Sequence, residues 1–403
     1  MKAIDYCEKI FDGTHDSPKP NAEGKHYLIN SKNISTGQID YNGAYKISDD
    51  DYNKIIKRSG VKKGDILISM IGTIGILCIV DDDSPDYAIK NMGVFRCKNS
   101  VDRNKLFYYL QTNDFKQKSN NFLNSSIQKF LTLDFIRNLD IQKEILDKID
   151  VDKLTRVDLL IKHNNDVINV LINKIKDIYS FYFENSKLSN CDKNYFDSFS
   201  GCYLPLGWKY ENLGKYIDGI TTGLNPRANF VLNNGGKIPY VTIKNIEDNG
   251  INLKKCDYID MDAFNKIQNR SKLKNGDILY TSLSPAGLTY FLLSWKNEFQ
   301  INESVFCIKT NDCKLNKYYL YTALNTNSFK KYENNFVNGS NQKSIKQAQI
   351  LDLKILIPSK ELIDKFSNKV QSLYLEIDKL QRQNTILSSY KHEILNFLVK
   401  KLV

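Results

Sequence analysis

Residues that commonly build catalytic and metal centres are scarce in this sequence. Its 403 residues include only four histidines, and its eight cysteines never form a Cys-x-x-Cys pair. It contains no GxxxxGK[ST] phosphate loop, no His-Glu-x-x-His zinc motif and no glycine-rich methyl-donor loop. We therefore expect a protein that is not an enzyme, with free thiols and without a metal ion or cofactor of its own.

Long apolar runs are also missing. The longest candidate, Ile66–Val80, is interrupted by Gly72 and Gly75 and is too short to cross a bilayer. The opening residues, Met1–Gly13, lack the apolar core of a secretory signal. We expect a cytoplasmic protein without a membrane partner.

Positive charge is in excess. Lys and Arg number 57 against 46 Asp and Glu, which gives a formal net charge of +11. An excess of this size favours a polyanionic partner, and nucleic acid is the first candidate. The alternative is a general bias of the source toward Lys, Asn and Ile.

The most informative feature is an internal repeat. A displacement of 212 positions aligns residues 47–67 with residues 259–279 and matches twelve of the twenty-one positions. At slightly larger offsets, Ser126, Gln128 and Lys129 match Ser340, Gln342 and Lys343. A period this long predicts two copies of a whole domain rather than a solenoid.

Each copy begins with short alternating apolar runs separated by Gly, Asn and Asp, which predicts strands of a mixed α/β domain. The repeated Gly-Asp-Ile-Leu at residues 64–67 and 276–279 is typical of a turn followed by a strand that enters the core. The aromatic runs LFYYLQT and YYLYTALNT predict short helices whose tyrosines pack on the sheet.

Each copy ends in a stretch whose apolar residues alternate in spacings of three and four, which predicts a long coiled-coil helix. The first seam is Leu154, Val157, Ile161, Ile168, Leu171, Ile175, Ile178 and Tyr182, and the second is Val370, Leu373, Ile377, Leu380, Leu387, Ile394 and Leu398. We expect the two helices, each about 50 Å long, to pair and hold the domains apart. Asn164 and Asn384 also occupy seam positions, each near the middle of its helix. In an antiparallel pair they would face one another and fix the register at a cost in stability.

Several segments together resemble the specificity (S) subunit of Type I restriction-modification systems. They are DGTHDSPK at Asp12–Lys19, GDIL at Gly64–Leu67 with IGTIG at Ile71–Gly75, LPLGW at Leu204–Trp208, Ser126-x-Gln128-Lys129, and Gly339-Ser340-x-Gln342-Lys343. No single segment is diagnostic, but their doubled order between two long helices is specific. The proline-rich helix entry often seen in that family is reduced to Ile357-Pro358-Ser359 here, and is absent at Leu139–Gln142.

The resemblance implies an α+β protein with two tandem mixed α/β target-recognition domains and two long helices forming an antiparallel coiled coil. We place a first recognition domain at 1–140, a spacer helix at 141–186, a linker at 187–203, a second domain at 204–358 and a second spacer helix at 359–403. The implied partners are double-stranded DNA, two methyltransferase (M) subunits and restriction (R) subunits. S-adenosylmethionine, ATP and magnesium would bind to those partner subunits.

DNA contacts are expected from polar and basic loop residues, which reach phosphates and base edges. The candidates in the first copy are Thr14, His15, Lys19, Lys32, Asn33, Thr73, Ser126, Gln128 and Lys129. Those in the second copy are Thr221, Thr222, Asn225, Arg227, Lys244, Asn245, Ser284, Ser340, Asn341, Gln342 and Lys343. For each, the alternative is a solvated or turn-stabilising side chain, and for Thr14 and His15 it is capping within the DGTH turn.

Other functions stay open at this point. The same domains could form a stand-alone DNA-binding regulator or an anti-restriction protein without a methyltransferase partner. A scaffold that joins two protein-binding modules would bind without the steep salt dependence of a DNA complex. A fused enzyme with unrecognised motifs would itself bind S-adenosylmethionine.

Overall fold

The computed structural model describes residues 1–35, 37–41, 43–126, 129–184, 194–247, 250–253, 256–336 and 344–400. Contacts divide the chain into two compact units, Met1–Asp158 with Tyr390–Val403, and Leu159–Ser389. Within the described ranges, no helix combines the length and the apolar character needed to span a membrane.

The first unit contains the strands and helices of the first copy. Its strands are β1 (Lys9–Asp12), β2 (His26–Ile29), β3 (Ile34–Ser35), β4 (Gln38–Ile39), β5 (Tyr45–Ile47), β6 (Ile66–Ser69), β7 (Leu77–Ile79), β8 (Tyr87–Ile89) and β9 (Met92–Arg96). Its α-helices are α1 (Ala3–Tyr6), α2 (Asp49–Ser59), α3 (Ser100–Tyr109), α4 (Asn113–Ser125), α5 (Leu133–Asn138) and α6 (Lys143–Asp147). The long helix α7 (Val151–Tyr179) begins in this unit and belongs to the second unit from Leu159 onward.

The second unit contains the second copy. Its strands are β10 (Asn194–Asp197), β11 (Cys202–Pro205), β12 (Lys209–Asn212), β13 (Ile217–Thr222), β14 (Ile238–Val241), β15 (Ile246–Glu247), β16 (Gly250–Ile251), β17 (Asp257–Ile259), β18 (Ile278–Thr281), β19 (Thr289–Phe291), β20 (Gln300–Ile301), β21 (Val305–Thr310) and β22 (Lys354–Ile357). Its α-helices are α8 (Met261–Ser271), α9 (Lys317–Leu324), α10 (Asn327–Glu333) and α11 (Gln347–Asp352). The long helix α12 (Lys360–Lys400) belongs to this unit as far as Ser389 and to the first unit from Tyr390 onward.

The two main sheets have the same topology in both units, which confirms the predicted duplication. The larger sheet has the strand order β1-β9-β6-β7 in the first unit and β13-β21-β18-β19 in the second. The smaller sheet has the order β5-β2-β8 in the first unit and β17-β14-β20 in the second. Leu28 pairs in parallel with Ala88, and Tyr240 pairs in parallel with Gln300, at positions 212 residues apart.

The repeated Gly-Asp-Ile-Leu forms the predicted turn and buried strand. Gly64 and Gly276 have φ values of +89° and +95°, a conformation that strains any residue with a Cβ. All residues of β6 and β18 are buried. Ile66 packs into one core cluster and Leu67 into another, because successive side chains of a strand point to opposite faces of the sheet.

Helices α2 and α8 supply the second repeated layer. Each begins at a capping residue: Ser48 accepts the backbone N–H of Asp51 at 3.2 Å, and Asp260 accepts that of Ala263 at 2.8 Å. The predicted aromatic helices are α3 and α9, and their tyrosines at 108, 109, 318 and 319 are buried as expected.

The two long helices run antiparallel, as predicted. In the second unit, Asn164 contacts Asn384 at 2.9 Å, and the ring of Tyr179 lies 5.7 Å from that of Phe366. As the residue number increases along α7, the number of its partner on α12 decreases, which is the pattern of an antiparallel pair. In the first unit, Asp158 pairs with Lys391 at 2.7 Å in the same order.

The seam of α7 departs from the predicted spacing near its end. Tyr179 and Phe183 are buried, whereas the predicted Ile178 and Tyr182 are only partly buried. A π-helical turn, Ser180–Glu184, follows α7 at this point. The aromatic rings of Tyr179 and Phe183 pack into the core of the second unit, so domain packing overrides the heptad spacing here.

The predicted linker is partly structured. Its residues 194–203 enter the antiparallel pair β10 and β11, with Phe196 opposite Tyr203, while residues 187–193 lie outside the described ranges. The domain boundaries given above stay predictions.

Candidate nucleic-acid interface

One loop occurs at the same place in both units and carries two of the predicted contact residues. We call it the strand loop; it is formed by residues 70–76 between β6 and β7 and by residues 282–288 between β18 and β19. Thr73 and Ser284 are exposed on it, as expected for contact residues. Gly72 and Gly75 adopt φ values of +78° and +83°, which lets the backbone turn tightly.

In each unit, a buried hydroxyl group stabilises the conformation of the strand loop by hydrogen bonds. Ser69 donates to the carbonyl oxygen of Thr73 at 2.6 Å and accepts the N–H of Ile76 at 2.8 Å. Thr281 makes the same two contacts in the second unit, donating to Pro285 at 2.6 Å and accepting from Leu288 at 2.9 Å. Neither Ser69 nor Thr281 was predicted from the sequence, although each lies two residues after the repeated GDIL stretch.

Another loop is connected to the strand loop by hydrogen bonds. We call it the first turn, because it follows the first strand of the larger sheet in each unit. It comprises residues 12–15 in the first unit and residues 222–225 in the second. In the first unit, Asn91 donates its N–H to the carbonyl oxygen of Thr14 at 3.0 Å and accepts the N–H of Met70 at 3.3 Å. Asn91 thus ties the DGTH turn to the strand loop.

The second unit makes the corresponding connection through neighbouring residues. Gly223 donates its N–H to Asn302 at 3.2 Å, and Ser282 donates its N–H to Ser304 at 3.1 Å. A Cβ on Gly223 would lie 1.7 Å from the carbonyl oxygen of Ile301, and a Cβ on Gly13 would lie 2.4 Å from that of Ile89. Glycine is therefore required at the same point of each first turn.

A third segment reaches the strand loop from the end of α4 or α10. The N–H of Leu131 donates to the carbonyl oxygen of Met70 at 3.0 Å, and that of Ile345 donates to Ser282 at 2.9 Å. Ser126 and Lys129 shortly precede Leu131; Lys129 is exposed and donates to the carbonyl oxygen of Leu123 at 2.8 Å. The candidates that fall outside the described ranges are Gln128, Ser340, Asn341, Gln342 and Lys343.

The Lys-Asn candidates form a short turn in each unit. Asn33 is buried and accepts the N–H of Asn30 at 3.1 Å, and Asn245 is buried and accepts that of Thr242 at 2.8 Å. These amides stabilise the turn, which was the alternative interpretation of the sequence. Lys32 and Lys244 are the exposed groups that the two turns present to solvent.

In the DGTH turn, Thr14 and His15 also make the local contacts that the alternative predicts. The Thr14 hydroxyl accepts the N–H of Asp16 at 3.1 Å, and Thr14 is largely buried. His15 is exposed, with Nε2 2.9 Å from Asp12 and Nδ1 3.0 Å from Asn91.

The remaining candidates of the second unit divide by exposure. Thr221 donates to the carbonyl oxygen of Ser271 at 2.6 Å, and the buried Thr222 accepts from Arg270 at 3.2 Å. Asn225 is partly exposed and Arg227 is exposed, as is Lys19 in the first unit.

A buried ionisable cluster lies beside the strand loop of the second unit. Tyr280 donates to Glu333 at 2.7 Å, and Lys330 lies 3.1 Å from the other carboxylate oxygen of Glu333. Lys330 also donates to the carbonyl oxygen of Gly287 at 2.5 Å. Burial raises the pKa of Glu333 and lowers the pKa of Lys330.

The chemistry of these loops is that of recognition by hydrogen bonds and charge. Exposed hydroxyl, amide, lysine and arginine groups suit phosphate and base-edge contacts. Among the residues that the structure describes, no group of three or more His, Cys, Asp or Glu side chains is placed to hold a metal ion.

Comparison with known families agrees with the duplicated architecture. The family model described as the Type I restriction modification DNA specificity domain matches residues 15–176 and again residues 205–388. No curated protein matches the chain significantly.

Solved structures with low sequence identity also align along the chain. The Type-I restriction-modification S subunit from M. genitalium is 13% identical, with a TM-score of 0.44 over 99% of this chain and 95% of that chain. The HsdS subunit from Thermoanaerobacter tengcongensis is 14% identical, with a TM-score of 0.32 over 98% and 94%. A chain from a structure of complex assembly and conformational transition in the type I R-M system is 14% identical, with a TM-score of 0.32 over 98% and 95%.

Proposed function

The chain belongs to the family of the Type I restriction modification DNA specificity domain, and from this premise we propose that it is the DNA-recognition subunit of a Type I restriction-modification complex. Each unit would read one half of a bipartite target. The observation that carries this proposal is the same convergence of first turn, strand loop and third segment in both units. Backbone hydrogen bonds join these loops at Met70 and again at Ser282.

The composition of the loops supports DNA as the ligand. Lys19, Lys32 and Lys129 are exposed in the first unit, and Arg227 and Lys244 are exposed in the second. Such side chains neutralise phosphates and release counterions, which makes binding strong at low salt and weak at high salt. Thr73 and Ser284 add hydroxyl groups that can bond to phosphates or bases.

In this proposal the chemistry resides on other subunits. Two M subunits would bind S-adenosylmethionine and methylate adenine, and R subunits would use ATP and magnesium for translocation and cleavage. The duplicated architecture supports two equivalent docking positions for M subunits. This chain would contribute selection of the site.

The test compares genome methylation in cells with and without this chain. We expect one bipartite methylated motif to disappear when the chain is absent, and to return when it is restored. Unchanged methylation, together with binding of the purified chain to DNA, would indicate a stand-alone regulator instead. Salt-insensitive binding to a protein partner would indicate a scaffold.

A further inference from the structure

One arginine occupies the same place in both units but has a different partner in each. Arg58 is the penultimate residue of α2, and Arg270 is the penultimate residue of α8, 212 positions later. Arg58 donates to a carboxylate oxygen of Asp12 at 2.8 Å, whereas Nε of Arg270 donates to the hydroxyl of Thr222 at 3.2 Å.

The two partners are structurally equivalent. Asp12 is the last residue of β1 and pairs with Gly93 of β9, and Thr222 is the last residue of β13 and pairs with Phe306 of β21. Each is followed directly by the glycine that the first turn requires. The arginine head group therefore lies at the start of the first turn in both units.

The charge at this place differs between the units. The carboxylate of Asp12 is 6% exposed and lies against the guanidinium of Arg58, so the positive charge is locally cancelled. Thr222 is neutral, and no carboxylate among the described residues forms an ion pair with Arg270. Arg270 is exposed and keeps its full charge.

The geometry of Arg270 also leaves donors available. Its contact with Thr222 uses Nε, while a guanidinium carries five N–H donors in a planar fork. The terminal nitrogens can bind two oxygens of one phosphate, the arrangement that makes arginine effective at nucleic-acid backbones. Arg58, in contrast, already uses Nη2 to bind the buried Asp12.

We propose that Arg270 binds a DNA backbone phosphate beside the first turn of the second unit. In the first unit, Asp12 suppresses the equivalent contact by Arg58. The inference rests on the proposed DNA-recognition function and deepens it by assigning a phosphate contact to one unit and not to the other. Because phosphate contacts carry no sequence information, Arg270 contributes affinity and register rather than base choice.

The experiment measures how the affinity of the full-length chain, with its methyltransferase partner, for a duplex depends on salt concentration. Arg270→Gln should reduce the slope of log K against log salt by about 0.9, the value expected for one lost phosphate contact, on specific and non-specific duplexes alike. Arg58→Gln, the matched control at the equivalent position, should change the slope by clearly less.

A reciprocal pair of variants tests the role of the carboxylate. Asp12→Asn keeps the size of the side chain but frees the charge of Arg58, so the slope should increase. Thr222→Asp places a carboxylate beside Arg270, so the slope should decrease as in Arg270→Gln. Thermal unfolding of each variant identifies any that fail to fold, and Arg270→Gln, which alters an exposed residue, remains informative if Thr222→Asp does not fold.

Two negative outcomes are distinguishable. Equal slope changes in Arg58→Gln and Arg270→Gln, or no change in Arg270→Gln, would overturn the assignment while DNA recognition stands. Absence of salt-dependent DNA binding by the unmodified complex would instead remove the proposed function itself.

Discussion

Asn164 and Asn384 meet side chain to side chain between the two long helices. Nδ2 of Asn164 donates to Oδ1 of Asn384 at 2.9 Å, and Nδ2 of Asn384 donates to Oδ1 of Asn165 at 2.8 Å. Asn164 is only 8% exposed. A shift of either helix along the other would leave a buried amide without these partners, so the pair favours one register.

The asparagine pair gives a prediction about stability. Asn384→Leu leaves the amide of Asn164 without its partner and should lower the free energy of unfolding by about 1–3 kcal/mol. The double variant Asn164→Leu with Asn384→Leu should recover most of that loss, because both polar groups are then replaced by apolar ones. Urea unfolding of the single and double variants measures the coupling. Gln383→Ala, at the neighbouring exposed position, is the control, and simple additivity would contradict the prediction.

The buried hydroxyls of the strand loops should act on one half-site each. Ser69→Ala removes the acceptor for the N–H of Ile76, and Thr281→Val removes that for Leu288. Each change should weaken the contact made by its own strand loop, by about 1–3 kcal/mol in binding. Titration with duplexes altered in one half-site at a time should show the two variants losing discrimination at different halves. Thr281→Ser keeps the hydroxyl and should bind normally; equal loss at both halves would point to a general folding defect.

An ion pair on a buried carboxylate occurs at the corresponding place in each unit, and we expect its loss to destabilise the protein strongly. Arg96 binds the carboxylate of Asp65 at 2.7 Å, and Lys309 binds that of Asp277, whose pKa is raised by burial in spite of the lysine. Lys309→Met leaves the carboxylate of Asp277 buried and unpaired, and should cost about 3–5 kcal/mol of unfolding free energy.

The control for this pair is Lys365→Met, which breaks an exposed ion pair with Glu361. It should leave the urea midpoint unchanged within error, because exposed pairs contribute little. Similar midpoints for Lys309→Met and the unmodified protein would contradict the prediction.

The buried Glu333 predicts a pH dependence of stability. Burial raises its pKa, against the opposing effects of Lys330 and Tyr280, whereas in the unfolded chain the pKa returns to about 4.3. Between these two values the native state holds a proton that the unfolded state has released, so this contribution to stability falls as the pH rises. Glu333→Gln removes it, and the variant should therefore gain stability relative to the unmodified protein as the pH increases from about 4.3.

Urea unfolding across this pH window tests the sign. Glu361→Gln is the opposite control, since Lys365 lowers the pKa of Glu361 and that contribution is lost as the pH falls. Stability curves for Glu333→Gln and the unmodified protein that run parallel over the window would show that Glu333 does not titrate as argued.

The features that the sequence determined by itself are periodic or local. The offset of 212 residues predicted two domains of one topology, and the spacing of apolar residues predicted two paired long helices. The meeting of Asn164 with Asn384 followed from their places in those seams, because an antiparallel pair brings the middles of both helices together. The repeated Gly-Asp turn at Gly64 and Gly276 predicted the buried strand that comes after each glycine.

Only the tertiary structure decided how distant loops combine. Thr14, Thr73 and Lys129 belong to segments far apart in the chain, and backbone hydrogen bonds through Asn91, Met70 and Leu131 join those segments. Likewise, no local sequence pattern indicates that Arg58 binds a carboxylate while Arg270 binds a hydroxyl group. Such contacts depend on how sheets and helices pack, since the packing brings together donors and acceptors that the order of residues leaves unrelated.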